Sequence, residues 1–312
     1  MAEITASLVK ELREKCSAGM MDCKKALSST GGDIEAASDW LRKKGLSTAA
    51  KKAGRVAAEG LIGIAQDGNR GAMVEINAET DFIARNKNFR VFVKTVAGLA
   101  LAADGDLDAL KAMDYPGADR TVAEYLTGMI ATVGENMELR RTSTIFVDRG
   151  VVASYMHNAQ ETGEKTSLGK IGVVVGLASV GDPVKLAAIG KQIAMHIAAA
   201  SPRAVSGDDM DPAAVDRERR ILADQARSSG KPDNIVEKMV EGRLRKFFEE
   251  SCLLDQIYVI DGESKVSKVL EEAGKEAGGA ITVTGFYRFS LGEGIARKKE
   301  DFAAEVAAAA AN

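Results

Sequence analysis

The chain has 312 residues, 46% hydrophobic and 28% charged, with a net charge of −3. It is long enough for more than one core, and its charge argues against a general nucleic-acid binder. No apolar run approaches the roughly 18 residues of a membrane span. The amino terminus lacks a charged-then-apolar signal pattern, so a cytoplasmic location is expected. Cys16, Cys23 and Cys252 are odd in number and without Cys-x-x-Cys spacing, so they read as reduced thiols, not a disulfide frame or zinc site. Residues 1–55 carry 11 Lys/Arg against 7 Asp/Glu, a balance of +4 that leaves −7 for the rest. Such a split suits a small basic module beside an acidic body, or simply a lysine-rich solvated surface.

Taken in order, the first 45 residues read as three short helices. Thr5 caps the first, whose Ile4, Leu8, Leu12 and Cys16 share one face; Ser17-Ala18-Gly19 breaks it. Asp22 is placed to cap a second helix to Ser29. Asp33 caps a third, with Ile34, Ala37, Trp40 and Leu41 inward and Gly45 ending it. Met20 and Met21 fall at the tight connection, where soft side chains serve either a partner surface or a small core. A basic helical linker follows to Ala58. Residues 60–65 and 72–76 then flank Asp67-Gly68-Asn69-Arg70-Gly71, a hairpin signal.

Next comes Glu75-Ile76-Asn77-Ala78-Glu79-Thr80-Asp81-Phe82-Ile83-Ala84-Arg85-Asn86, between a strand and the helix that starts at Phe89. An acid and a large aromatic stand side by side in a connecting loop. One reading has Asp81 capping the next turn and Phe82 tucked into the core. The other has Phe82 facing a partner, since loops carry function more often than packing.

Helices at 107–113 and 121–135 complete the first half. The plan then repeats at an offset near one hundred residues. Strands at 151–156 and 171–176 are joined by a polar connection from Gln160 to Lys170, and a helix capped by Asp182 runs to Ala200. The repeat indicates two related α+β subdomains. The second copy has Gly181-Asp182-Pro183 where the first has Thr80-Asp81-Phe82, so the fold itself does not require the aromatic. A helical hairpin follows, Asp211 to Arg227 and Asp233 to Leu253, with Val236, Val240, Leu244, Phe247 and Ser251 on one stripe. Ile235 and Met239 fall off the stripe and meet either the body or something beyond it. Then come a short strand at 257–260, a helix at 266–274, a strand from Ile281 to Leu291, and a helix from Asp301 to Ala311 that Phe302 and Val306 could dock. The expected organisation is α+β. Residues 1–50 form a three-helix module, 51–140 one core subdomain and 141–210 with 255–292 the other. Residues 211–254 form a helical-hairpin insertion and 293–312 a carboxy-terminal module.

No catalytic site assembles. The only histidines are His157 and His196, the latter inside a helix and read as a core or rim residue. Gly163-Glu164-Lys165-Thr166-Ser167 lacks the Walker spacing, and Gly172-Val173-Val174-Val175-Gly176 lacks the middle glycine of a dinucleotide loop. The chain is expected to bind no nucleotide, metal or cofactor and not to be an enzyme. Lysine pairs 24–25, 43–44 and 51–52 leave open an RNA- or ribosome-binding accessory role, although the segment offers only Trp40 as a base platform.

The Thr80-Asp81-Phe82 run resembles the signature of the bacterial elongation factor Ts family. Leu12-Arg13-Glu14-Lys15 with Ala18-Gly19-Met20-Met21-Asp22-Cys23-Lys24-Lys25-Ala26-Leu27 resembles that family's amino-terminal signature. The resemblance continues through Gly134-Glu135-Asn136-Met137, Lys238-Met239-Val240-Glu241-Gly242-Arg243 and Asp301-Phe302-Ala303-Ala304-Glu305-Val306. Departures are Cys16-Ser17, Ala78, Ile83 and Asn158 after His157. The resemblance implies a ubiquitin-associated-like amino-terminal module, a coiled-coil hairpin and guanine-nucleotide exchange on elongation factor Tu. It places Thr80, Asp81, Phe82 and Ile83 against the nucleotide-binding domain of that GTPase near its magnesium. It also implies docking through Met20, Met21 and Lys24, further contacts at His157, Met239 and Val240, and a homodimer through the hairpin in some members.

Overall fold

The computed structural model describes residues 4–16, 18–228 and 232–296. Three helices open the chain: α1 (Ala6–Cys16), α2 (Met20–Ser29) and α3 (Ile34–Lys52). They close on Val9, Leu12, Cys23, Ala26, Leu27 and Ala37, with Trp40 half-buried at the edge. The Asp33 carboxylate caps α3 by accepting from the Ala36 N–H. Two expectations are corrected here. Asp22 does not cap α2, which starts at Met20 after Gly19; its carboxylate instead pairs with Lys44. Nor does Gly45 end α3, which runs seven residues further into the expected linker. Gly45 is buried where a Cβ would stand 3.7 Å from the Ala131 Cβ. That is ordinary contact distance, so the approach does not require glycine; burial of α3 against the helix that contains Ala131 carries it past the stop signal.

The body is a pair of antiparallel sheets covered by helices. Strands β1 (Glu59–Asp67) and β2 (Arg70–Ala78) form the expected hairpin. A 3-10 turn, Asp81–Arg85, leads into α4 (Lys87–Ala100), whose Phe89, Phe92, Val93 and Val96 are buried. After α5 (Leu107–Ala112) and α6 (Val122–Val133), β3 (Met137–Phe146) pairs with β2. Sequence reading missed β3, because Glu138, Arg140, Arg141 and three threonines or serines mask its few apolar positions. A register shift at Glu75/Ile76 further blurs its alternation.

Strands β4 (Gly150–His157) and β7 (Ile171–Ala178) pair as expected, and α7 (Pro183–Ala200) follows with Asp182 as its cap. The stretch between them is not a plain connection. It folds into β5 (Glu161–Thr162) and β6 (Thr166–Gly169), and β6 adds to the free edge of β1. The sheets are therefore β3-β2-β1-β6-β5 and β4-β7-β8, the last strand being β8 (Thr282–Ser290). Strand pairing carries the first sheet across the expected division at 140/141 and recovers residues 161–169 for it.

Side-chain alternation sorts the two cores. Leu61, Val74 and Ile76 face the α4 side, whereas Ile62, Ile64 and Met73 meet Val152, Met156, Val174 and Phe289 between the sheets. Gly172 permits that approach, since a Cβ there would lie 2.9 Å from Ile62 Cγ2. Helices α8 (Pro212–Arg227) and α9 (Asp233–Ser251) form the hairpin, with Leu222 and Ala226 of α8 and Val236, Leu244 and Ser251 of α9 buried. Residues 257–260 are not a strand: only an isolated bridge from Ile257 to Lys265 forms before α10 (Val266–Ala277). Ile257, Val259 and Ile260 are exposed there. The helix expected at 301–311, with Phe302 and Val306, lies outside the described residues, as does most of the 293–312 module.

Candidate functional site: a braced turn presenting Phe82

Strand β2 delivers the chain to Glu79 and Thr80, where two carboxylates lace the loop to the segment after α6. Glu135 accepts from the Thr80 N–H at 3.1 Å and from its hydroxyl at 2.9 Å. Glu79 in return accepts from the Asn136 N–H at 2.5 Å. The Asn136 side chain donates to the Arg55 carbonyl at 2.8 Å, so the join spans three segments. Hydrogen bonds to charged acceptors are among the stronger ones, which makes this edge of the turn stiff.

The far edge is held differently. Ile83 and Ala84 are 5% and 3% exposed and belong to the core beneath α4. Arg90 Nε donates to the Ala84 carbonyl at 2.7 Å, and Asn86 caps α4 by accepting from the Asn88 and Phe89 N–H groups. Asn86 thus fills the capping role that one reading gave to Asp81. Between the two anchors Asp81 and Phe82 point outward, and Phe82 is 72% exposed. The tucked-in reading of Phe82 is overturned. Single exposed apolar residues are common. What distinguishes this one is a fixed pedestal beneath it.

The other expected residues are distributed around the molecule. Ile83 is a buried anchor of the turn, and Thr80 is half-buried and engaged by Glu135. Met20 and Met21 are 55% and 77% exposed, so neither fills the small core of α1–α3; Lys24 is exposed beside them. His157 is exposed at the end of β4, its Nδ1 3.2 Å from the Tyr155 hydroxyl. Arg90 brings that region toward the Phe82 turn by reaching Gln160 at 3.3 Å while holding Ala84. Met239 and Val240 are half-buried on α9, a separate element, and Ile235 is exposed. Sequence reading missed Arg90 and the bracing role of Glu135. The latter stood inside the Gly134-Glu135-Asn136-Met137 motif, whereas nothing local marks Arg90.

His196 is fully buried. Its Nδ1 accepts from the Val259 N–H at 3.2 Å, so Nε2–H donates to Gln256 Oε1 at 2.9 Å. Burial lowers its pKa below the ordinary 6.5, against a smaller raising effect from Gln256. The unfolded chain then takes up a proton that the folded chain refuses. This histidine's contribution is fully present above pH 6.5 and is lost as pH falls below it. The denaturant midpoint should decline on that acid side, and the His196 ring resonance should titrate below its unfolded value. A resonance titrating at or above the unfolded value would contradict the assignment.

Among the described residues no group of three or more His, Cys, Asp or Glu could hold a metal ion. Among them, too, no helix is long and apolar enough to cross a membrane.

The family model described as Elongation factor TS matches residues 79–293, which begins at the braced turn and takes in strands β3 to β8. Curated relatives are similar over nearly their whole length. An Elongation factor Ts of Rhodospirillum rubrum is 62% identical, covering 99% of each chain. That of Paramagnetospirillum magneticum is 60% identical over 99% of this chain and 98% of its own. That of Rhizobium leguminosarum bv. trifolii is 53% identical over 99% of both. With the α+β architecture and the Thr80-Asp81-Phe82 turn, these matches show that the chain belongs to the elongation factor Ts family.

Proposed function

We propose that this chain is a guanine-nucleotide exchange factor that binds elongation factor Tu and promotes GDP release in translation elongation. It does so as a binding protein, not as a catalyst of bond-making. The single observation that carries the reading is Phe82, 72% exposed on a turn anchored at both ends. Because the backbone on both sides of it is already held, little loop freedom is lost when the side chain enters a partner. Pressed into the GTPase near the magnesium site, Phe82 with Asp81 displaces groups that support the metal. Because Mg²⁺ bridges and neutralises the phosphates, its loosening lets GDP leave. Met20, Met21 and Lys24 would anchor the same GTPase domain, while His157, Met239 and Val240 would supply contact elsewhere. Uniform affinity of that kind holds the complex together without itself expelling nucleotide.

The RNA- or ribosome-binding alternative receives less support. Several of its cations are engaged within the chain: Lys15 with Glu35 at 2.5 Å, Lys44 with Asp22, Arg42 with Glu124 and Lys52 with the Gly134 carbonyl. Trp40 is half-buried with the Lys44 ammonium 5.5 Å above its ring, which removes the one aromatic platform. The test is release of a fluorescent GDP analogue from purified elongation factor Tu. Adding the full chain should accelerate release steeply and saturably. Unchanged release, alongside salt-sensitive RNA binding by the chain, would replace this reading with the alternative.

A further inference from the structure

The last residue of α1 and the fourth of α2 bring two thiols together outside the site just described. Cys16 Sγ and Cys23 Sγ lie 3.8 Å apart, unbonded, on either side of the first turn of α2, which carries Met20 and Met21. Their environments differ. Cys23 is fully buried, and burial, followed by its neighbour Cys16, pushes its thiol up to about 12. Cys16 is half-buried and lines a cleft of about 370 Å³ with Asn86, Asn88, Arg120, Tyr125 and Thr132. The cleft lies between α1, α6 and the start of α4, and gives a small solute a way to one sulfur of the pair. Cys252 is buried in another cluster, with Ala204 and Met210.

We propose that Cys16 is an oxidant-accessible modification site and that Cys23 resolves it as an intramolecular disulfide. The oxidant is a small hydroperoxide. The Cys16 sulfur, as its thiolate, attacks one peroxide oxygen; the S–O bond forms, the O–O bond breaks and the displaced oxygen leaves as water after taking a proton. The Cys23 sulfur then attacks the sulfenic sulfur. The S–S bond forms, the S–O bond breaks, and hydroxide departs with the Cys23 proton as a second water. Both sulfurs are oxidised, both peroxide oxygens are reduced, and the two thiol hydrogens end in water. Forming the bond requires the sulfurs to close from 3.8 Å to about 2.05 Å. The bond would close a ring around Met20 and Met21 and fix their bearing relative to α1. The inference does not depend on the identity of the chain's partner.

The test treats the folded full chain with dilute hydrogen peroxide, blocks remaining thiols, and maps the peptides without reduction. Oxidation of Met21, 77% exposed, serves as the internal measure of dose. The expected product is a peptide pair linked Cys16 to Cys23, with Cys252 still free. Cys16→Ser should abolish the linked pair, and Cys23→Ser should leave a sulfenic acid at Cys16 that a dimedone probe captures. Free thiols at both positions once Met21 is oxidised, or a bridge that recruits Cys252 instead, would overturn the proposal. So would capture of sulfenic acid at Cys23 in the Cys16→Ser chain.

Discussion

Phe82→Ala should leave the melting temperature nearly unchanged and strongly reduce stimulated GDP release. The two halves of that result come from one fact. A fully buried phenylalanine costs about 3–5 kcal/mol when cut to alanine, through lost transfer energy and the cavity left behind. At 72% exposure little of that is at stake, and a surface substitution typically stays within about 0.5 kcal/mol. Phe89, seven residues on and fully buried against α4's core, supplies the contrast. Phe89→Ala should lose the full core cost and lower exchange only through lost folded protein. Asp81→Ala should act like Phe82→Ala, to a smaller degree. Thermal unfolding and fluorescent GDP release on one preparation check all three. A Phe82→Ala chain that melts much earlier yet exchanges normally when folded would make Phe82 a packing residue.

Glu75→Ala should be among the most destabilising substitutions in the body, at about 3 kcal/mol or more. The Glu75 carboxylate is fully buried. It accepts from Arg140 at 3.0 Å, Arg141 at 2.5 Å, the Gly292 N–H at 2.8 Å and Asn77 Nδ2 at 3.1 Å. It therefore stitches β2 to β3 and fastens the segment after β8 onto the first sheet. Arg140 and Arg141 extend the stitch by donating to the Glu293 and Ser290 carbonyls. Removing the shared acceptor takes the buried charge partner from both guanidinium groups, leaves them only their contacts to Glu293 and Ser290, and deprives the Gly292 N–H of its carboxylate. The side chains of Arg140 and Arg141 are 25% and 29% exposed and relax partly toward water, which argues for the lower end of the ~3–5 kcal/mol range. Glu75→Gln keeps one accepting oxygen for Arg140, Asn77 and Gly292 but turns an NH2 donor toward Arg141, and should cost less than Glu75→Ala. Urea midpoints of the three chains, with limited proteolysis near residue 292, provide the check; a loss below about 1 kcal/mol would show the cluster to be dispensable.

What could be read from the sequence followed from local rules with few competitors. The β1–β2 hairpin has its turn glycine, α7 its Asp182-Pro183 start, and α4 a clean apolar stripe. The comparison of Gly181-Asp182-Pro183 with Thr80-Asp81-Phe82 singled out Phe82 because one site needs only a cap. The failures are tertiary. Gly45 carries a stop signal locally, but burial of α3 against α6 makes it a packing position. Residues 161–169 read as polar connection because their reason to be extended is the open edge of β1, a distant element. The Ile257 to Ile260 run has strand-like residues but no partner strand, so only one bridge forms. At the site, the exposed pair was visible in sequence and its supports were not. Glu135 and Arg90 act from 55 and 6 residues away.

In the proposed exchange, nucleotide and this chain weaken one another on the GTPase, with Phe82 transmitting the effect. Linkage requires the two effects to be equal, and typical couplings of about 1–3 kcal/mol correspond to roughly 5–150-fold in affinity. The direct measurement is the dissociation constant of the chain for nucleotide-free and for GDP-saturated elongation factor Tu, with wild type and Phe82→Ala side by side. The wild-type ratio should reach or exceed the upper end of that range. For Phe82→Ala it should collapse toward unity, mainly through tighter relative binding to the GDP form. Equal affinity of the wild-type chain for both forms, or a ratio that Phe82→Ala leaves intact, would contradict the account.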